Sequence, residues 1–535
     1  MRIKSIFAVL LAIATMASCS DNVEGEGPDT GTDPSGTAYM SLNVTYPDLK
    51  SRASIEKPAE KEEGDIREFY VLTFDVTKKL IKHANATNYY TRLSGENTTE
   101  ALKVNPDTKF LLVVANPGTK MEGRLASLGS TTTYNDFNEA IVLDALTSSQ
   151  TPDALVGEIM ASVNPTTGIG QYFTMINVGT YESGWPDDGL LDVTTNVIKV
   201  DPQGTYKTDA EAKAAASAPG NKATLKIERL ASKMVVNAVK ENITVHPSGA
   251  EFEFGKWILD YRNSTFFPYA KKSDITGGHT GTFYDGQNFY TEDPNYSLPD
   301  QETGIILNKV SDSDPVPVDA LWKGSTKADY CIENTMAADA QKFGAATRVV
   351  IKGKYCPKDF TLGDDWFYYN GQAYDLASLK TAYDAAKVAQ SAMGDLLIAA
   401  TDKFLVEVNK ANNAISTSDL SALTKEQLVD IEDGGEITKI DDCLWWYQGS
   451  LNYYYYEIRH DNSELPNMAF GKYGVARNNW YNLTLKNVRG KGTPWYPGGG
   501  PEDPDPEEDI DQDSAYLDFE IEVGPWIFWT TDFDI

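Results

Sequence analysis

Much of this chain alternates apolar and polar residues one by one, the pattern of strands with a single buried face. In Tyr39-Met40-Ser41-Leu42-Asn43-Val44-Thr45-Tyr46, the residues Met40, Leu42, Val44 and Tyr46 share one face. Small polar Ser41, Asn43 and Thr45 take the other. Glu68 to Asp75 and Lys109 to Asn116 read as buried strands closed by turn formers. A second series opens near Ala223, where Leu225, Ile227 and Arg229 alternate, and it continues from Ser232 to Val239. Thr347 to Tyr355, the aromatic run Leu444 to Ile458, and Asn479 to Val488 complete the set.

Helical pattern is confined to a few stretches. Thr208-Asp209-Ala210-Glu211 forms a capping box that opens an alanine-rich helix, and Pro219-Gly220 stops it. Leu379, Tyr383 and Ala386 stand at helical spacing, and Thr424 to Gln427 is a second capping box. Residues 376–433 therefore read as a helical insertion. The predicted fold is mainly β: two β-sandwiches split near Gly220, with helices decorating the loops.

The far end of the sequence changes the picture. Pro497-Gly498-Gly499-Gly500-Pro501 leads into an acidic, proline-rich stretch that like charges extend. At ~3.1 Å per residue, Pro497 to Asp513 would reach about 50 Å. Beyond it, Leu517, Phe519, Ile521 and Val523 share one face of a strand, with Asp518, Glu520 and Glu522 on the other. After Gly524-Pro525 comes Trp526-Ile527-Phe528-Trp529, apolar on both sides. These strands need a partner sheet, either in their own second domain or in another subunit.

The beginning sets the expected compartment. Arg2 and Lys4 precede the apolar run Ile6 to Ala14, which has signal-peptide length and is too short to span a bilayer. Met16-Ala17-Ser18-Cys19 resembles a bacterial lipobox ending in the lipidated cysteine, Cys19. Two or three acyl chains, at ~0.8 kcal/mol per buried methylene, would anchor it firmly. The acidic Gly/Pro/Ser/Thr-rich stretch that follows reads as a solvated tether. A formal charge of −31 argues against nucleic acid or anionic lipid as a partner. With Cys19 assigned to lipid, Cys331, Cys356 and Cys443 allow at most one disulfide and show no metal-binding spacing.

Catalytic chemistry finds little footing. His83, His246, His279 and His460 are isolated, and no phosphate loop, nucleophile elbow or acid/base pair stands out. No cofactor, metal or enzymatic activity is expected. Asp509 and Glu520 have the outer spacing of a calcium loop, but Ser514 stands where glycine is needed, so acidic spacer is the better reading. Asp513-Ser514-Ala515 has the form of a bacterial O-glycosylation acceptor. Trp445-Trp446-Tyr447 and Tyr453 to Tyr456 offer a glycan-binding platform as one reading and a sandwich core as the other.

The two ends of the chain complement each other. Lys50 and Arg52 lie in a polar loop just after the strand Met40 to Tyr46. A trypsin-like cut between Arg52 and Ala53 would free that strand and open a groove. A donor strand carrying Leu517, Phe519, Ile521 and Val523, with Trp526 and Phe528 beyond, would fill it. Four apolar side chains at roughly 1.5–3 kcal/mol each give roughly 6–12 kcal/mol gross, besides the main-chain ladder. Head-to-tail donation does not close on itself and so builds filaments.

These features, in this order, resemble the type V pilins (fimbrillins), and most nearly the shaft subunit of the short, minor fimbriae. The resemblance rests on Cys19, the strand Met40 to Tyr46 with Arg52-Ala53, Phe110 to Asn116, and Ile227 to Met234. It also rests on Tyr330 to Thr335, Val475 to Leu483, and the Pro/Asp-rich linker before Leu517 to Trp526. It implies two transthyretin-like Greek-key domains, lipoprotein export to the outer membrane, and removal of the first strand by an arginine-specific surface protease. C-terminal strand exchange into a homopolymer follows, with accessory anchor and tip pilins and host or bacterial surface ligands as partners. The expected organisation is a signal peptide at 1–19, a tether at 20–37, and a removable strand and cleavage loop at 38–52. Sandwiches at 53–220 and 221–496 follow, then a linker at 497–513 and donor strands at 514–535. The alternative is a surface lipoprotein that binds glycans or host ligands, or an accessory tip adhesin.

Overall fold

The computed structural model describes residues 36–45, 60–95, 99–143, 155–178, 189–272, 291–297, 319–460, 466, 468–498, 500–501, 503–505, 507–510 and 517–525. The fold is mainly β, in stacked sheets around two main apolar cores. The first sheet runs in the order Leu42–Thr45, Ala223–Arg229, Met175–Asn177, Phe110–Ala115, Glu68–Phe74 and Leu80–Ile81. Glu68–Phe74 is buried along its whole length, as a central strand covered on both faces should be. A smaller sheet packs against it, in which Ala38–Met40 lies between Ile198–Lys199 and Leu102–Val104. Helix Asp209–Ser217 covers this layer, and its N-cap Thr208 and Glu211 form the reciprocal capping box.

The second core lies between two further sheets. One contains Ala231–Asn237, Ala328–Ile332, Asn479–Val488 and Leu517–Pro525; the other contains Glu251–Asp260, Arg348–Cys356 and Leu451–Glu457. Aromatic side chains fill the space between, with Trp366 stacked flat on Tyr447 at 3.8 Å. The aromatic run 444–458 divides into two strands, Trp445–Tyr447 and Leu451–Glu457. The break comes from Gly449 and Ser450, whose φ angles of 56° and 62° turn the backbone left-handed.

Helices Leu376–Ala389, Ala392–Ala411, Lys425–Val429 and Gly434–Ile437 form a third, separate core. Phe404 is its hub, edge-on to Trp446 at 5.8 Å and to Phe367 at 5.5 Å. Gln390, left-handed at φ 48°, makes the turn between the two long helices, and Ser391 caps the second by accepting from Gly394 N.

The chain crosses between the first two cores on one nearly continuous strand. Ala223–Arg229 belongs to the first sheet, not to the second domain where the sequence places it, because Leu225 and Ile227 point into the first core. The chain therefore changes sheets at Leu230, and beyond it Ala231 and Val235 still line the first core while Met234 and Val236 line the second. Even-numbered residues bond one side: Val178 N to Lys226 O at 2.9 Å, Leu230 N to Thr174 O at 3.0 Å, and Thr326 N to Val236 O at 2.8 Å. Odd-numbered residues bond the other: Ala223 N to Ser41 O at 2.8 Å and Asn478 N to Ala231 O at 2.9 Å. Leu42–Thr45 and Asn479–Val488 thus run parallel to one shared edge, one after the other.

A buried polar junction pins this crossing. Glu63 is fully buried and receives Lys233 Nζ at 2.7 Å and the Tyr330 hydroxyl at 2.9 Å. Arg229 donates through Nε to Glu63 O at 2.9 Å and through Nη1 to Asn478 Oδ1 at 3.1 Å. Arg477 grips Glu333 with two nitrogens, one of them Nε at 2.9 Å, and Ser232 Oγ donates to Ala476 O at 2.8 Å. The stretches 227–234, 330–335 and 475–483 are therefore neighbours in space. Beside them, Glu228 is buried with no hydrogen bond to Oε1, and burial pushes its carboxyl up to about 8. Arg477 opposes that rise and Glu333 adds to it. Glu457, also buried, is pushed up to about 7.

Two outcomes are expected. Phe404→Ala costs about 3–5 kcal/mol in a denaturant titration that follows the helical insertion. For the carboxyls, the folded state holds the proton more tightly than the unfolded chain, whose glutamates titrate near about 4.3. Their contribution is complete below that value and is lost as pH rises through about 7 and about 8. The melting midpoint should fall between pH ~5 and ~8.5, and Glu228→Gln should remove much of that fall. A midpoint in Glu228→Gln with the same pH slope as the parent would contradict this account.

Candidate functional site at the two terminal strands

The leading strand divides at Ser41 into two short pieces in different sheets, Ala38–Met40 and Leu42–Thr45, that share one buried stripe. Ala38, Met40, Leu42 and Val44 all sit in the first core, and Tyr39 packs on the opposite side against Ala212 and Ala216. Yet its pairing along the shared edge is brief, covering only Ala223↔Leu42 to Lys226↔Thr45. Thr99 closes its outer side, donating from N to Leu42 O at 3.0 Å and accepting from Leu42 N at Oγ1 at 2.9 Å. Three lysines flank it in register: Lys199 opposite Ala38, Lys103 opposite Tyr39, and Lys226 opposite Thr45. Neither Thr99 nor these lysines carry a signal that sequence reasoning could have used. Cys19, Tyr46, Arg52 and Ala53 lie outside the described residues.

The tail strand, Leu517–Pro525, pairs antiparallel with Asn479–Val488 from Val488↔Leu517 to Asn479↔Pro525. In the single chain it is thus folded onto its own second domain, on the side of Asn479–Val488 away from the shared edge. Leu517 and Ile521 are buried, and Phe519 and Val523 pack against the same core. Phe519 meets the Tyr456 ring at 4.8 Å. The carboxylates face outward: Asp518 pairs with Arg489 at 2.7 Å and Glu520 with Lys486 at 2.6 Å. Glu522 accepts from Asn482 Nδ2 at 2.8 Å. The alternation seen in the sequence therefore describes this strand's two faces. Trp526 and Phe528, like Asp513 to Ala515, lie outside the described residues.

Other candidates take structural places. Trp445, Trp446, Tyr447, Tyr453, Tyr454 and Tyr456 are buried, so the rings considered for a glycan platform belong to the cores. Consecutive aromatics serve both sides of a strand in a sandwich, and that demand wins here. Cys331, Cys356 and Cys443 are buried free thiols, and burial pushes that of Cys443 up to about 12. Among the described residues no helix is long and apolar enough to cross a membrane, and no group of three or more His, Cys, Asp or Glu could hold a metal ion.

Comparison with known proteins bears on the region that holds the tail strand. No curated protein matches the chain. Similar solved structures include candidate cell adhesion proteins from Parabacteroides distasonis ATCC 8503 and Bacteroides eggerthii DSM 20697. The first has 12% identity and a TM-score of 0.40 over 92% of this chain and 97% of that one. The second has 10% identity and a TM-score of 0.38 over 93% and 98%. The tip fimbrial protein Mfa3 from Porphyromonas gingivalis, with a C-terminal truncation, has 10% identity and a TM-score of 0.33 over 92% and 100%. At such scores these neighbours add nothing to what the chain's own sheets display. The family described as major fimbrial subunit protein type IV, Fimbrillin, C-terminal, matches residues 446–532. That stretch takes in the aromatic strand Leu451–Glu457, the strand Asn479–Val488 and the tail strand that pairs with it. Over this C-terminal region the chain is similar to the fimbrillins, a family of fimbrial subunit proteins.

Proposed function

We propose that this chain is a structural shaft subunit of a surface fimbria, exported as a lipoprotein on Cys19 and activated by proteolysis between Arg52 and Ala53. Its tail strand then replaces the leading strand of a neighbour, and repetition builds a fibre that supports adhesion and biofilm formation. An outer-membrane lipoprotein precursor, an arginine-specific surface protease, and anchor and tip subunits belong to this reading.

The observation that carries it is the construction of the leading strand. Met40, Leu42 and Val44 are buried in the first core, while the strand holds the shared edge over only four residues. Beyond that it is held by the short ladders of Ala38–Met40 with Leu102–Val104 and Ile198–Lys199, by its buried side chains, and by the covalent link that a cut at Arg52 would sever. The glutamate downstream, Glu63, is held by Lys233 and Tyr330, so the trimmed chain would keep a fixed point after the cut. A replacement strand needs apolar residues at alternate positions, which Leu517, Phe519, Ile521 and Val523 supply. Its outward carboxylates Asp518, Glu520 and Glu522 suit an edge flanked by Lys103, Lys199 and Lys226.

The test is treatment of purified precursor with an arginine-specific protease. Cleavage after Arg52 and ladders of SDS-resistant multimers are expected, and Arg52→Ala should give neither. Val523→Asp, at a position half-buried in the single chain, should slow ladder growth about tenfold, equivalent to about 1.4 kcal/mol. Trimmed protein that stays monomeric at high concentration would end the strand-exchange reading.

A further inference from the structure

The composition of 497–513 predicts a free spacer, but the described part of it is tied down at two points. Asp503 turns back on the segment: its Oδ2 accepts from Gly498 N at 2.9 Å, Gly500 N at 2.7 Å and Trp495 Nε1 at 3.2 Å. Gly500 lies so close to the Trp495 indole that an added Cβ would stand 2.0 Å from Nε1. Further on, Phe343 N donates to Glu508 O at 3.1 Å and Ile510 N to Gln341 O at 3.2 Å. These two bonds flank an antiparallel bridge between Lys342 and Asp509, whose side chains form an ion pair. Ile510 itself is 4% exposed, set among Met336, Ala340, Phe343, Ala346 and Tyr473.

We infer that this segment is a mooring that stays closed when the tail strand moves to a neighbour, so the donor's leash is measured from Ile510. The inference rests on the strand-exchange reading above. Opening the mooring would expose Ile510 and its pocket and strip Asp503 of its donors, and nothing in the insertion of Leu517–Pro525 elsewhere restores those contacts. The seven residue steps from Ile510 to Leu517 reach at most about 25 Å at ~3.3–3.6 Å per residue, against about 50 Å for the whole spacer. The neighbour's vacated edge must therefore come within about 25 Å of Ile510, which draws consecutive subunits into contact.

A covalent lock tests this. Lys342 and Asp509 form the closely spaced type of antiparallel pair, with Cα atoms about 4.5 Å apart, near the lower limit that a disulfide accepts. In the double variant Lys342→Cys with Asp509→Cys, the native Cys331, Cys356 and Cys443 stay buried, which confines oxidation to the new pair. The oxidised and reduced forms are trimmed in parallel with the arginine-specific protease and followed by SDS-resistant ladders. A closed mooring predicts ladders from the oxidised form at the parent rate, within about twofold. An oxidised form that stays monomeric, while its reduced form makes ladders, overturns the inference. In a second arm, deleting Asp511 to Asp513 should cut ladder formation at least about tenfold. Unchanged ladders there would show a leash longer than the mooring allows and would also overturn it. Absence of ladders from the trimmed parent instead rejects strand exchange itself, and that result is separate from both.

Discussion

A strand at the border of a sheet leaves every second N–H and C=O without a partner, beside an apolar stripe that water must not reach. In this protein that constraint falls on one edge, the odd-numbered side of Ala223 to Asn237, which passes through both main cores. The first half of the edge is closed by Leu42–Thr45 from the start of the chain. The second half is closed by Asn479–Val488, which in turn carries Leu517–Pro525. The two ends of a long sequence are thus committed to a single line of hydrogen bonding. Both closures of the edge are short, four pairs by Leu42–Thr45 and five by Asn479–Val488, whereas the tail adds nine pairs on the far side of Asn479–Val488. An edge closed by so short a ladder is the place where one strand can replace another without disturbing the sheet behind it.

The junction at Leu230 explains why the spine keeps its geometry where it passes between cores. Buried ion pairs contribute little net stability, but a buried charge that loses its partner is costly, so such pairs fix an arrangement more than they strengthen it. Glu63 with Lys233 and Tyr330, and Glu333 with Arg477, hold four distant stretches of sequence in one place. Glu228 is the exception, a carboxyl taken from water without a hydrogen bond at Oε1.

Much of the fold was legible in the sequence because strand alternation and capping chemistry are local. Met40, Leu42 and Val44 announced a buried face, as did Leu517 and Ile521, and Thr208 with Glu211 announced a helix start. What alternation cannot state is which strand lies next door. The pattern of Ala223 to Arg229 therefore gave no hint that it serves the first core, nor that the tail folds beside Asn479–Val488. Glu63 was invisible for a related reason. It sits in a short polar run, Lys61-Glu62-Glu63-Gly64, and only the partners brought by Lys233 and Tyr330 set it apart. The acidic linker misled more directly, since Asp503 and Ile510 look like spacer until Trp495 and Phe343 are placed beside them.

The helical insertion occupies a different position in this economy of contacts. It leaves the body after Gln372–Tyr374 and returns at Trp445–Tyr447, and both strands pair with Trp366–Tyr369 between them. Departure and return are thus two strand spacings apart, about 10 Å, and the segment between brings its own core around Phe404. Neither main sheet constrains its length or its outer residues, among which Val388, Met393 and Leu396 already stand exposed. Substitutions on this outer face, or changes in the length of its helices, therefore leave the pairing of both main sheets as it is.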